Sequence, residues 1–128
     1  MSVTVRLDGA TADAFDEVVD RVDRTAVWVA SEAIIHAARA MSATSRPLDA
    51  YLGRQHCTRR QLLAVDEHIE TTIAGLAIAH AVGDTVPSPP AIARAALRRL
   101  IDIYGGPDGV VGHLGEARPR VPREVAQP

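Results

Sequence analysis

Val3-Thr4-Val5-Arg6-Leu7-Asp8-Gly9 decides how the rest of this chain is read. Val3, Val5 and Leu7 alternate with Ser2, Thr4 and Arg6. That period of two predicts a half-buried strand with one apolar and one polar row. Asp8-Gly9 breaks it, and Asp8 is a good helix N-cap. From Ala10 to Asp23, Phe15, Val18, Val19 and Val22 fall at i, i+3, i+4 and i+7, one apolar helical face. Asp13, Asp16, Glu17 and Asp20 occupy the first turn or the other side. Thr25 caps a second helix running to about Met41, with Val29, Ala30, Ala33, Ile34 and Ala37 as its inner face. Trp28 and Ile35 form a second apolar strip on it. A lone strand needs a partner, and the simplest partner is the same strand of a second copy, so a homodimer is expected.

Residues 42–57 read as a linker, rich in Ser and Thr, with one helical turn at Leu48–Leu52 before Gly53. Thr58-Arg59-Arg60-Gln61 fits a capping box. Leu62, Val65, Ile69, Ile73, Leu76 and His80 then predict one long helix, stopped at Gly83-Asp84. Ser88-Pro89 opens a last helix carrying Ile92, Ala95, Ala96, Leu100 and Ile101. Residues 58–104 are therefore expected to be a helical hairpin packed on residues 1–41. From Gly105-Gly106-Pro107 the composition predicts a disordered tail over 105–128. The expected fold is mainly α, with one short N-terminal β-strand.

Composition narrows the function. The chain has 128 residues, 47% apolar, 23% charged and 3% aromatic. That is a globular balance, neither disordered nor fibrous. No apolar run is long enough for a membrane span, and no secretory signal is visible, so a cytoplasmic protein is expected. Cys57 is the single cysteine, which excludes an internal disulfide. The net charge of −2 excludes a basic protein charged on every face, but all 14 basic residues are Arg. Arg makes the two-pronged contacts to phosphate and guanine that Lys cannot.

The order strand, helix, tight turn, helix resembles the ribbon-helix-helix (Arc/MetJ-type) family of DNA-binding proteins. The resemblance covers the first third of the chain. It rests on Thr4-Val5-Arg6-Leu7-Asp8, on Phe15 and Val18, on Arg24-Thr25, and on Val29-Ala30-Ser31-Glu32-Ala33-Ile34. It implies that paired strands enter the major groove of duplex DNA, with Ser2, Thr4 and Arg6 reading base edges. It also implies a phosphate held at the start of the second helix, by Arg24, Thr25, Ala26 and Val27. Ala26 and Val27 depart from the polar pattern usual there and leave backbone donors only. Ser88–Leu97 matches the turn and second helix of the family too, and the step Asp66 to Ile73 repeats Asp8 to Phe15. A degenerate second copy is thus the sharper alternative to the hairpin. Against it, Gln61–Val65 does not alternate, and Pro89 and Pro90 remove N–H donors.

The resemblance implies a transcriptional repressor or an accessory factor on plasmid or mobile DNA, with double-stranded DNA as partner. An antitoxin whose half 58–128 grips a toxin, and a helical scaffold that never meets DNA, are the alternatives. Arg59, Arg60, Arg94 and Arg98 form a candidate secondary basic patch for flanking phosphates. His36, His56, His68, His80 and His113 show no metal-ligand spacing, and His80 reads as a satisfied core residue. Nothing places a base beside Cys57. No catalysis, metal or cofactor is expected.

Overall fold

The computed structural model describes residues 2–53 and 56–117. Strand β1 (Ser2–Leu7) is followed by helices α1 (Gly9–Val22) and α2 (Ala26–Ala40). A 3-10 turn at Asp49–Tyr51 leads to strand β2 (Arg59–Ala64). Helices α3 (Glu67–Ala79), α4 (Pro89–Ile103) and α5 (Pro107–Ala117) complete the chain. The expected architecture, mainly helical with a β-strand at the N-terminus, is present. Two of its details are not.

The first correction concerns 58–104, which is not a plain helical hairpin. Residues 59–64 are a second strand, paired antiparallel with β1 from Ser2↔Ala64 to Leu7↔Arg59. Thr58 does not open a helix; its N–H donates to the Leu7 carbonyl at 2.9 Å. The helix begins later, capped by Asp66, whose carboxylate accepts from the Ile69 N–H at 2.9 Å. Adjacent Leu62 and Leu63 hid the strand. Leu63 is fully buried while Leu62 is 63% exposed, so the pleat puts them on opposite faces and only one belongs to the core. The open edge of β1 outweighs the local helical preference, because its unpaired N–H and C=O groups need a ladder. That ladder comes from the same chain, so no twin is needed to pair β1. The second correction concerns the tail. Of 105–128, residues 107–117 are helix α5, and 118–128 lie outside the described residues.

The chain thus runs strand-helix-helix twice. Val29, Ala30, Ala33, Ile34 and Ala37 of α2 have counterparts at the same spacing in Ile92, Ala93, Ala96, Leu97 and Leu100 of α4, and all ten are buried. In α1 and α3, Phe15 matches Ile73 and Val18 matches Leu76, likewise buried. When the caps Asp8 and Asp66 are aligned, Thr4 falls on Leu62, and these two residues are directly paired in the sheet. A local two-fold therefore passes between them. Aligning the caps Thr25 and Ser88 puts His36 on Arg99, and these touch as well, at 2.8 Å. α2 and α4 pack on one another beneath the sheet, and α4 also contacts β1.

Two features lie outside the repeat. α5 packs chiefly on α1, buries Val110 and Leu114, and ties Asp108 to Arg21. Gly109 permits this, since a Cβ there would collide with the Tyr104 carbonyl. The linker is pinned rather than loose. Leu48 is buried and its N–H donates to Nε2 of buried His80 at 2.9 Å. Arg46 donates to the carbonyls of Ala79, His80 and Ala81 at 3.1–3.2 Å, which satisfies the C-terminus of α3.

Candidate functional site

Pairing the strands creates two rows of side chains. Facing the helices are Val3, Val5 and Leu7 with Leu63, Gln61 and Arg59. Facing solvent are Ser2, Thr4 and Arg6 with, directly opposite, Ala64, Leu62 and Arg60. Ser2, Arg6, Arg60, Leu62 and Ala64 are exposed and Thr4 is half-buried. The three residues picked from sequence are therefore brought together on one polar row. Sequence reasoning missed Leu62 as their neighbour and put Arg60 in a different patch. The signal was the Asp66–Ile73 repeat, which fixes where a second strand would have to end.

Arg6 and Arg60 form a directly paired like-charge couple, and neither is ion-paired with an acidic side chain among the described residues. Like charges facing each other across a ladder destabilise it, by a few tenths of a kcal/mol up to about 1 kcal/mol. The couple offers two guanidinium forks at one end of the ribbon. In the middle are a hydroxyl (Thr4) and a branched alkyl group (Leu62). At the other end are Ser2 and Ala64. The chemistry on offer is hydrogen-bond donation to paired acceptors, plus one apolar contact.

The rest of the expected patch does not gather around it. Arg59 lies on the inner row, ion-paired with Asp16 of α1 and donating to Gln61 at 2.7 Å. Arg98 donates to the Tyr51 carbonyl at 2.7 Å and lines a cavity of about 320 Å³ with Asp8, Thr11 and Asp102. Burial pushes the Asp8 carboxyl up. Hydrogen bonds from the Thr11 hydroxyl and N–H, with the nearby charge of Arg98, outweigh it and hold the group below the usual carboxylate range. Arg94 is half-buried, and its Nε has no hydrogen-bond partner. Of the four arginines, Arg60 alone sits on the ribbon's outer row.

The start of α2 matches the expectation in part. Thr25 Oγ1 accepts from the Trp28 N–H at 3.0 Å, which leaves the N–H groups of Ala26 and Val27 unused within the helix. Arg24 lies over the Trp28 ring at 4.3 Å, and Asp23, Arg24, Thr25 and Trp28 line a shallow cavity of about 420 Å³. Trp28, part of the second apolar strip of α2, thus carries a guanidinium as well as a core contact. The equivalent start of α4 differs. Ser88 caps Ala91 at 3.3 Å, and Pro89 and Pro90 have no N–H to give.

No group of three or more metal-ligating side chains is present among the described residues. No helix among them is long and apolar enough to cross a membrane. The chain matches no protein-family model, no curated protein and no solved structure.

Proposed function

We propose that this chain is a sequence-specific double-stranded DNA-binding protein of the ribbon-helix-helix kind, a repressor or an accessory factor on plasmid or mobile DNA, with both halves of the unit in one polypeptide. The observation that carries this reading is the outer row of the ribbon. It presents two arginines side by side, at a cost to the sheet that an electronegative ligand relieves. A two-stranded ribbon fits the major groove, which is about 12 Å wide. Guanine O6 and N7 accept both prongs of one guanidinium, Thr4 exchanges hydrogen bonds with several bases, and Leu62 suits the thymine methyl. The N–H groups of Ala26 and Val27, with Arg24, supply backbone positioning at one flank. This pose requires the acidic outer face of α1 (Asp13, Asp16, Glu17, Asp20) to turn away from the phosphates.

Formation of a homodimer is not needed to build this ribbon. The antitoxin reading draws little support: much of 58–104, the first part of the segment it assigned to a toxin, is spent on the core, through Leu63, Ile73, Ile92, Leu97 and Leu100. Mobility shift on genomic fragments from the source organism tests the proposal. Wild type retards a subset of fragments in the presence of competitor DNA, and Arg6→Ala loses that selectivity while its circular dichroism stays native. If wild type retards no fragment even at low salt, where electrostatic binding is strongest, the proposal is wrong.

A further inference from the structure

The two strands of the ribbon do not carry the same letters. At symmetry-equivalent outer positions Ser2 corresponds to Arg60, Thr4 to Leu62 and Arg6 to Ala64. A ribbon made by two copies of one strand would place an arginine at each end and read a palindrome. Here antiparallel pairing of unlike strands brings Arg6 and Arg60 to the same end and leaves Ser2 with Ala64 at the other. The backbone is two-fold; the reading surface is not.

We infer that one chain recognises a duplex element with no internal two-fold, specified by guanine at one end, by a thymine methyl near its middle, and weakly at the other end. The inference rests on the DNA-binding reading and deepens it. Two forks facing each other at one ladder position reach the same or neighbouring base pairs, so the guanines lie together rather than in mirrored half-sites. Leu62, 63% exposed in the middle of the outer row, adds nothing to the core. Apolar contact with a thymine methyl is the major-groove chemistry it suits. Ser2 and Ala64 are too short to make bidentate contacts, so that end discriminates only weakly between base pairs.

Selection of the full chain on a randomised duplex pool at about 0.15 M salt, followed by affinity measurements on the winning duplex, decides the matter. The expected motif is not self-complementary within the footprint of one chain. Arg6→Ala and Arg60→Ala each reduce discrimination by about 10- to 100-fold, and at guanines of the same end. Leu62→Ala relaxes the central thymine. All three side chains point outward, and thermal melts no lower than that of the wild type show that losses come from recognition rather than unfolding. A motif symmetric within one chain's footprint overturns the inference, as does relaxation of opposite ends by the two arginine variants. Retention of duplex without sequence preference also overturns it, while leaving DNA binding itself standing. Retention of no duplex removes both.

Discussion

His80 and His36 show how far one side chain's meaning depends on its neighbours. His80 Nδ1 donates to the Leu76 carbonyl at 2.7 Å and Nε2 accepts from the Leu48 N–H, so the ring joins α3 to the linker. His80→Ala strands the buried Leu48 N–H, a cost of about 1–3 kcal/mol, and opens a void besides. A melting temperature lowered by several degrees, with the ribbon face untouched, is the expected result. His36 is held differently. Its Nδ1 accepts from Arg99, its Nε2 donates to Tyr104 Oη at 3.0 Å, and the His113 ring stands edge-on at 5.3 Å. Burial, then the charges of Arg99, His113 and Arg39, hold its pKa below the ordinary imidazole value of 6.5. The unfolded chain therefore takes up a proton at a pH where the folded chain does not. Stability is full above pH 6.5 and falls as pH drops from there toward the lower folded value. Urea unfolding at pH 7.5 and pH 5 measures the fall, and His36→Gln makes it shallower.

At the scale of elements, the helices follow from local rules. Asp8, Thr25, Asp66 and Ser88 each cap the helix that follows, with the side chain accepting an N–H three residues on. Thr25→Ala costs about 0.5–2 kcal/mol, read as a lowered midpoint in denaturant. β1 announced itself by alternation. β2 did not, because an outward Leu62 beside an inward Leu63 erases the period-two pattern. Leu63 is the core anchor of β2, and Leu63→Ala costs about 2–5 kcal/mol; Leu62→Ala leaves the midpoint nearly unchanged. That contrast between adjacent leucines checks the register. α5 was missed because Gly and Pro dominate the segment 105–115, although Gly109 is what lets the helix approach Tyr104. Gly109→Ala pushes α5 off α1 and increases amide exchange around Val110 and Leu114.

At the scale of the whole molecule, the two strand-helix-helix segments depend on each other. Each alone would expose an unpaired strand and the inner faces of its helices. Fragments 1–53 and 58–117 made separately are therefore expected to show little structure, and to regain helical circular dichroism when mixed. The intact chain melts at a temperature independent of its concentration, since β1 finds its ladder within the same polypeptide. From the amino acids alone came β1, the caps Asp8, Thr25 and Ser88, α1, α2, α4, the satisfied His80 and the outward row Ser2, Thr4, Arg6. All of these are set by near-neighbour periodicity and hydrogen bonding within a few residues. The partner of β1, the place of Arg60 beside Arg6, and the diversion of Arg59 and Arg98 to Asp16 and Tyr51 were decided only in three dimensions. Strand pairing across more than fifty residues is settled by which edge is free and which leucine is buried, and no local window of sequence contains either.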